Sequence, residues 1–337
     1  MAMPRLSYQR HRTKTGTTAM TTIHKRLYIQ EVATRDGFQN EKQFVDTDAK
    51  IALVDALSAC GFAKIEVTSF TSPKAIPALR DAEAVMHGIT RREGVVYTAL
   101  VPNVRGAERA LSCGLDEVNL VMSVSETHNR ANLRMGREQS FAQLREVIGV
   151  VKSTPVAINV SLSTSMGCPM EGDIPVEEVL RWTEEFATLG VHGVTLCDTT
   201  GMAYPSQVKA LCERVRKVFP ALELTLHFHN TRGMALANTL AALEAGIDRF
   251  DASLGGIGGC PYAPGASGNV CTEELVHMLA LDGYDTRVDL AAVLKASALL
   301  PGLIGHDVPS QILKAGRRLD LHDTPPDQQR TAAHEGA

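Results

Sequence analysis

Eight short apolar segments alternate with amphipathic stretches between residues 27 and 284. We predict that the apolar segments are β-strands, at residues 27–32, 63–70, 95–101, 117–124, 156–162, 193–198, 222–229 and 249–254. The stretches between them have apolar side chains at helical spacing, such as Ile51, Val54 and Leu57, and several end in glycine. This pattern predicts helices near 47–60, 77–87, 105–113, 138–152, 176–190, 206–219, 233–246 and 272–283.

Eight successive strand–helix units favour an α/β fold of the closed (β/α)8 type, the TIM barrel. A doubly wound sheet would have a glycine-rich turn after its first strand, but the sequence there is ATRDGFQNEK (33–42). Strands this apolar are suited to burial on both faces. We therefore expect one catalytic barrel over 27–284, with added C-terminal helices over 285–320 that pack on it.

The two ends of the chain differ from the barrel in composition. Residues 1–26 contain six basic side chains and no acidic one, which a mitochondrial transit peptide would share. No amphipathic apolar stripe accompanies these charges, so we expect a disordered extension, with Met20 as an alternative start. The polar segment 321–337 is expected to be a disordered tail.

Composition and charge argue against several classes of function. The net charge of −4 and the lack of a basic stripe give no reason to expect a nucleic-acid or membrane partner. No apolar run approaches the roughly 20 residues that span a bilayer. The seven cysteines form no CxxC pair, which indicates reduced thiols and a cytoplasmic location.

Candidate chemistry lies at the carboxyl ends of the predicted strands, where (β/α)8 enzymes have their active sites. His227 and His229 end the seventh strand two positions apart, so both side chains point to one face. Asp36 follows the first strand, and Asn269 could add an amide oxygen. Such ligands suit a divalent cation with open positions, whether Mg²⁺, Mn²⁺ or Zn²⁺. The alternatives are histidines packed without a metal, and Asp36 paired with Arg35.

A glycine-rich loop follows the eighth predicted strand and contains Cys260. Glycines permit backbone conformations and motion that other residues resist, so this loop could close over a substrate. A thiol near a cation can carry a proton near neutral pH. Alternatively, Cys260 packs beneath the loop as a small apolar residue.

The chain resembles the 3-hydroxy-3-methylglutaryl-CoA lyases, a family of metal-dependent barrel lyases. The segments that carry the resemblance are TRDGFQNEK, EVTSFTSPKAIP, VPNVRGAERA, GCPMEG, CDTTG, HFHNTRGMALANTLAALEAG and GGIGGCPYAPGASGN. They span nearly the whole barrel. The last segment is the most specific, because a glycine-rich loop with a Cys-Pro step is typical of this lyase branch.

The resemblance implies retro-Claisen cleavage of 3-hydroxy-3-methylglutaryl-CoA to acetyl-CoA and acetoacetate, as in leucine degradation and ketone-body formation. It also implies an acyl-CoA as the partner and a homo-oligomer, a dimer or larger. A divalent cation, Mg²⁺ or Mn²⁺, would bind the hydroxyl and carboxylate oxygens of the substrate. Its ligands would be Asp36, His227, His229 and Asn269.

The resemblance further implies roles for other strand-end residues. Cys260 would carry the proton of the C3 hydroxyl, and Arg35 would stabilise the enolate charge. Glu66 would orient Arg35 and the metal ligands, and Asp198 would support the site or relay a proton. From these roles and from their places at strand ends and in the following loops, we expect Arg35, Gln39, Ser69 and His128 to bind the substrate.

Several positions depart from the family pattern. Asn230 and Arg232 stand where many members have Asp and Tyr, and Asn159 stands where better-known members have an arginine. The segment SETHNRAN (125–132), expected to be a polar loop, differs from animal-type enzymes and could bring His128 or Arg130 near the acid end of the substrate. These changes leave citramalyl-CoA and longer branched hydroxyglutaryl-CoA esters as alternative substrates.

Two other classes of protein are weighed against a lyase. A condensing synthase would share the barrel and metal ligands, but it would usually have a long C-terminal extension and no Gly-Cys-Pro loop. A non-catalytic metal-binding scaffold would bind the cation tightly and turn over no acyl-CoA. The loop cysteine and the Arg35–Asp36 pair favour the lyase.

We predict that Cys260→Ser lowers turnover by orders of magnitude and leaves metal binding intact, because serine cannot replace the thiol as a proton carrier. His229→Ala is expected to weaken metal binding instead. Steady-state kinetics and a metal titration of both variants check these expectations. Near-normal activity of Cys260→Ser would contradict the assignment of the proton carrier.

Overall fold

Eight parallel strands close into a single barrel, which confirms the predicted fold. The computed structural model describes residues 9–12, 18–21, 25–259, 265 and 267–321. The barrel strands are β1 (Tyr28–Glu31), β2 (Lys64–Ser69), β3 (Val96–Leu100), β4 (Glu117–Ser123), β5 (Ala157–Ser163), β6 (Gly193–Asp198), β7 (Glu223–Phe228) and β8 (Arg249–Ala252). Hydrogen bonds join β8 to both β7 and β1, so the barrel has no free edge.

Helices surround the barrel and follow its strands. They are α1 (Thr47–Ser58), α2 (Ala82–Gly88), α3 (Val104–Ser112), α4 (Glu126–Leu133), α5 (Arg137–Val151), α6 (Val176–Thr188), α7 (Pro205–Val218), α8 (Ala235–Glu244) and α9 (Thr272–Leu281). Short turns of other helix types lie at Ala33–Gly37, Pro77–Leu79 and Leu254–Gly256. None of these helices, nor any other that the structure describes, is long and apolar enough to cross a membrane.

The segment 125–132 is helical, whereas the sequence analysis expected a polar loop. The side chain of Ser125 accepts a hydrogen bond from the backbone N–H of His128 and caps the first turn of α4. Arg134 ends the helix in the left-handed conformation, with a φ of 60°. The hydrogen bond from the Ser125 cap therefore stabilises a helix in a segment whose few apolar residues had predicted a loop.

The C-terminal segment forms three short helices, α10 (Leu290–Ser297), α11 (Leu300–Ile304) and α12 (Gln311–Ala315). Helix α10 contacts α1 and α9, and α12 contacts α9. Asp289 caps α10 by accepting hydrogen bonds from two backbone N–H groups. Pro301 lies in the first turn of α11, where a missing N–H costs no hydrogen bond.

The expected disorder of 1–26 and 321–337 concerns residues that lie mostly outside the described part of the chain, and it stays a prediction. Within the first of these segments, residues 9–12 and 18–21 pair as antiparallel strands. The domain boundaries at residues 27, 284 and 320 also stay predictions.

The two faces of the barrel strands differ in polarity, although apolar faces on both sides were expected. The outward faces carry buried apolar side chains such as Ile65, Leu120 and Val160, which pack under the helices. The inward faces carry buried polar side chains, among them Glu66 and Asn119. The core that stabilises the fold therefore lies between strands and helices, and the barrel interior is free for polar chemistry.

A buried carboxyl group joins the end of β1 to the start of the glycine-rich loop. One oxygen of Glu31 accepts hydrogen bonds from the backbone N–H groups of Ala33 and Leu254, both at 2.9 Å. The other oxygen accepts a hydrogen bond from the hydroxyl of Thr272 at 2.6 Å. Burial raises the pKa of Glu31 to about 8, in spite of these donors. This contact fixes the spacing of two segments that lead into the carboxyl-end loops.

We predict that Glu31→Gln gains stability relative to the wild type as the pH rises from 5.5 to 8. Between its unfolded pKa of 4.5 and its folded pKa of about 8, Glu31 holds a proton that the unfolded chain has released. Deprotonation in this window therefore destabilises the folded wild type, by at most about 1.4 kcal/mol per pH unit. Thermal unfolding midpoints of both proteins across this pH range measure the difference.

Glu83→Gln is a matched control, because Arg109 holds the pKa of Glu83 below its usual range. The stability that this pair contributes is lost only as the pH falls below about 4.5. The control and the wild type should therefore change in parallel between pH 5.5 and 8. Parallel behaviour of Glu31→Gln as well would contradict a raised pKa at Glu31.

Candidate active site

A tight turn after β1 carries Arg35 and Asp36 into the barrel mouth. The carbonyl of Val32 accepts hydrogen bonds from the backbone N–H groups of Arg35, Asp36 and Gly37, at 3.1, 2.7 and 3.3 Å. Because the N–H of Gly37 reaches the carbonyl five residues before it, this turn is a π-helix, which is wider than an α-helix. The two adjacent charged side chains are largely buried there and contact each other.

The glycine-rich loop approaches this turn closely at Gly258. Its φ of +92° is a conformation that favours glycine. A Cβ at this position would lie 2.7 Å from the side-chain nitrogen of Asn269 and 2.8 Å from the carbonyl oxygen of Asp36. Glycine here allows the base of the loop to pack directly on the candidate metal ligands.

Asp36, His227 and His229 form one cluster, as the sequence predicted. One ligand atom from each lies within 4.8 Å of the other two. His227 is on β7, and His229 follows that strand and pairs with Asn269 in an isolated bridge. The separation between Nε2 of His229 and Oδ2 of Asp36 is 4.0 Å, too long for a hydrogen bond. Two ligands of one cation lie about 3 to 4 Å apart, so this spacing fits a shared metal ion.

The protonation of the cluster also fits a metal site. Burial and the neighbouring ring of His227 lower the pKa of His229 to about 3, so this imidazole is neutral. Its Nδ1 is buried and has no hydrogen-bond partner within the described part of the chain. Burial opposes ionisation of Asp36, but Arg35 and the two histidines hold the pKa of this carboxyl well below its usual range. A neutral imidazole and an ionised carboxylate are the forms that bind cations.

Asp251 lies behind His227 and was missed by the sequence analysis. The two residues are direct register partners on β8 and β7. Nδ1 of His227 and Oδ2 of Asp251 are 3.1 Å apart. Burial lowers the pKa of His227, but this carboxylate more than offsets the effect and the net shift is upward. Such a carboxylate fixes the tautomer and orientation of a metal-binding imidazole.

Arg35 bridges two carboxylates. Its Nε donates to Oε2 of Glu66 at 2.6 Å, and one terminal nitrogen donates to Oδ1 of Asp36 at 2.6 Å. Burial alone would lower the pKa of Arg35, but the two carboxylates raise it further above its usual value. Asp36 therefore pairs with Arg35 and also lies beside the two histidines, so the pairing does not exclude it as a metal ligand.

Asn269 contacts the same cluster through its amide nitrogen. That nitrogen donates to Oδ2 of Asp36 at 2.7 Å and to the carbonyl of Ile257 at 2.9 Å. Asn269 thus holds Asp36 and the loop base together. That Asn269 binds a metal ion through its amide oxygen stays a prediction.

A cavity of about 810 Å³ opens at the carboxyl end of the barrel. Its lining includes six of the predicted residues, Arg35, Asp36, Gln39, His128, His227 and His229. Small side chains such as Ser161, Ser163 and Cys197 also line it. A cavity of this size accommodates a substrate of drug-like dimensions or larger.

Four predicted residues, Glu66, Ser69, Asp198 and Asn269, are absent from the lining that the described residues form. The hydroxyl of Ser69 donates to Thr71, which does line the cavity. Oδ1 of Asp198 accepts hydrogen bonds from the backbone N–H groups of Met202 and Ala203, at 2.7 and 3.1 Å. Burial raises the pKa of Asp198 to about 6. These residues support the wall from behind.

His128 and Arg130 differ in their exposure to solvent and in their position relative to the cavity. His128 is buried, lines the cavity and lies with Nδ1 2.6 Å from the hydroxyl of Ser123. Burial lowers the pKa of His128, so the ring is neutral near pH 7. Arg130 is exposed and pairs with Glu126 one helical turn away. Of the two residues, His128 is therefore the one placed to meet a substrate.

Cys260 lies outside the described residues, and its role stays a prediction. Gly259, which precedes it, lines the cavity, and its carbonyl accepts a hydrogen bond from the side chain of Asn40 at 2.6 Å. Two exposed cations in the lining, Lys74 and Arg134, were not predicted. Their positions in loops gave no periodic signal.

The chain is similar to known proteins over most of its length. The family model described as HMGL-like matches residues 26–300. Hydroxymethylglutaryl-CoA lyase YngG of Bacillus subtilis is 46% identical over 290 residues, which are 86% of this chain and 97% of that protein. The human mitochondrial hydroxymethylglutaryl-CoA lyase is 39% identical over 304 residues, 90% of this chain and 94% of its own length.

A solved structure is similar over the same range. It is an HMG-CoA lyase from Acinetobacter baumannii in complex with coenzyme A and 3-methylmalate, with a TM-score of 0.87 and 51% sequence identity. The match covers 91% of this chain and all of that one. These findings confirm the resemblance found in the sequence. The chain belongs to the HMGL-like family.

Proposed function

We propose that this chain is a divalent-metal-dependent carbon–carbon lyase that cleaves 3-hydroxy-3-methylglutaryl-CoA to acetyl-CoA and acetoacetate. The observation that carries the proposal is the buried cluster of Asp36, His227 and His229 beside Arg35, open to a cavity of about 810 Å³. The relatives are named for this activity. The similar HMG-CoA lyase structure from Acinetobacter baumannii holds coenzyme A and 3-methylmalate, a branched hydroxy diacid. The products are those of leucine degradation and ketone-body formation.

The reaction needs one proton removed and one returned. The C3 hydroxyl loses its proton, the C2–C3 bond breaks, and its electron pair stays on C2 as the enolate of acetyl-CoA. A proton then adds to C2. Asp36, His227 and His229 would hold a divalent cation, which would supply Lewis-acid polarisation of substrate oxygens. Mg²⁺ or Mn²⁺ is the proposed ion, with Asn269 as the proposed fourth ligand.

Arg35 has a fixed direction at the cavity wall. Because Glu66 and Asp36 hold it on two sides, its guanidinium does not need to reorganise when negative charge develops on the thioester oxygen. Cys260 is the proposed carrier of the proton, which it takes from the hydroxyl and returns to C2. Asp198 is proposed to support the ligands from behind, through the carbonyl that accepts the backbone N–H of His229.

Recognition of the acyl group is assigned to the neutral polar part of the wall. His128 is proposed to bind the free carboxylate of the substrate by hydrogen bonding, and Gln39 to bind a polar atom near Arg35. Ser69 is proposed to act on the substrate through Thr71.

The rim carries the charge that coenzyme A requires. Lys74 and Arg134 line the cavity and are exposed, and neither forms an ion pair with another of the described residues. Coenzyme A carries a diphosphate and a 3′-phosphate, which such unpaired cations attract. We propose that these two side chains dock the phosphates.

A cytoplasmic location and a homo-oligomer, a dimer or larger, are also part of the proposal. The location rests on the scattered cysteines of the sequence, and the assembly rests on the family resemblance.

We predict that the purified protein, with Mg²⁺ and a thiol reductant, converts 3-hydroxy-3-methylglutaryl-CoA to acetoacetate and acetyl-CoA in equal amounts. A chelator should abolish turnover, and added Mg²⁺ or Mn²⁺ should restore it. Coupled assays for each product measure the reaction. Metal-independent turnover, or tight metal binding without cleavage of this substrate, would contradict the proposal.

We predict that Lys74→Ala and Arg134→Ala each raise KM for the CoA thioester several-fold, up to the roughly tenfold that 1.4 kcal/mol of lost binding gives. Turnover at saturation should change little, because the proposed mechanism gives these cations no part in breaking the bond. The effect should shrink at high salt. Lys217→Ala, an exposed lysine at the end of α7, is the matched control. A fall in kcat with unchanged KM would speak against docking at the rim.

A further inference from the structure

The carboxylate that orients Arg35 has a second partner inside the barrel. Oε2 of Glu66 accepts the hydrogen bond from Arg35, and Oε1 accepts one from Nδ2 of Asn119 at 2.8 Å. Glu66 is 3% exposed and Asn119 is 7% exposed, so water does not freely replace either bond. The plane of the Glu66 carboxylate is therefore fixed from both ends.

The amide of Asn119 can adopt only one orientation in this network. Its Oδ1 accepts hydrogen bonds from Nδ2 of Asn159 at 3.1 Å and from the hydroxyl of Ser161 at 2.9 Å. An inverted amide would set its oxygen against the Glu66 carboxylate and its nitrogen against a second nitrogen donor. The hydrogen bonds of Asn119 with Glu66, Asn159 and Ser161 are therefore all satisfied only when its amide nitrogen points toward Glu66.

The backbone places these side chains side by side. Asn119 and Asn159 are direct register partners on β4 and β5. Asn159 also donates to the hydroxyl of Thr195 on β6 at 2.9 Å. Its own register partner on β6 is Gly193, where a Cβ would lie 2.9 Å from the Asn159 side-chain oxygen. The strands therefore leave room for an amide pair at this level of the barrel.

We propose that Asn119 is a positioning residue of the lyase reaction, which holds Glu66 so that Arg35 keeps its direction at the cavity wall. The inference rests on the proposed function for the reaction that it assists. Ser161 lines the cavity and bonds to Asn119, so the network runs from the substrate-facing wall to the back of Arg35. Without Asn119, Oε1 of Glu66 loses its donor, and only the bond from Arg35 still orients the carboxylate.

The alternative is that Asn119 only fills the barrel interior. A filling residue would affect stability and leave the kinetics of the folded enzyme unchanged. A positioning residue acts in the transition state, because Arg35 meets full negative charge only there. Its loss lowers kcat and changes KM little.

The test compares Asn119→Leu with Thr98→Val. Leucine has nearly the size of asparagine and removes both hydrogen-bonding functions. Thr98 lies opposite Glu66 in the register of β2 and β3, and its buried hydroxyl has no hydrogen-bond partner among the described residues. The valine variant therefore removes a buried polar atom next to Glu66 and breaks no hydrogen bond of the network. Asn119→Ala takes the place of the leucine variant if the latter does not fold by circular dichroism.

We expect kcat of Asn119→Leu to fall about 10- to 100-fold, with KM within about twofold of the wild type. Thr98→Val should keep wild-type values of both. A kcat within twofold of the wild type, an effect on KM alone, or an equal loss in Thr98→Val would overturn the proposal.

A second readout does not depend on turnover. In protein labelled with ¹⁵N-arginine, the Nε–H resonance of Arg35 is assigned by its loss in Arg35→Lys. We expect this resonance to shift in Asn119→Leu and to stay in place in Thr98→Val. If the wild type fails to cleave the thioester but the resonance shifts, the proposed function is wrong and the positioning stands. An unchanged resonance contradicts the positioning itself.

Discussion

The site depends on one buried cation, the guanidinium of Arg35, held between Glu66 and Asp36. Breaking such a buried pair by removing one partner typically costs about 3–5 kcal/mol, so the three groups keep one arrangement. Asp251 adds a further carboxylate next to His227. A divalent cation here would meet the ionised carboxylate of Asp36 and the neutral imidazole of His229.

The barrel interior is polar because this charge cluster needs partners. Asn119 supplies one to Glu66 and in turn depends on Asn159 and Ser161. The apolar core between strands and helices carries the stability of the fold, so the interior can be used for orientation. In this chain a row of amides and hydroxyls occupies the space near Glu66.

The sequence predicted the barrel and its strands to within a few residues, because a strand buried under helices has an unbroken apolar signal on its outer face. Helix α4 was missed, since its capping residue stabilises a segment of low hydrophobicity. The cluster of Asp36, His227 and His229 was predicted because strand ends meet at one rim. Asp251 and Asn119 were not predicted. Each contacts a residue on another strand, and the pattern of hydrophobic and polar residues along one strand does not show which residues of neighbouring strands lie side by side.

The most direct test of this account is to locate the metal. Crystals of the protein grown with Mn²⁺ should show one anomalous peak between Asp36, His227 and His229, with Arg35 still bonded to Glu66. The described residues contain one other group that could hold an ion, formed by Cys271, Glu273 and Glu274. A peak there, or none beside the two histidines, would contradict the account.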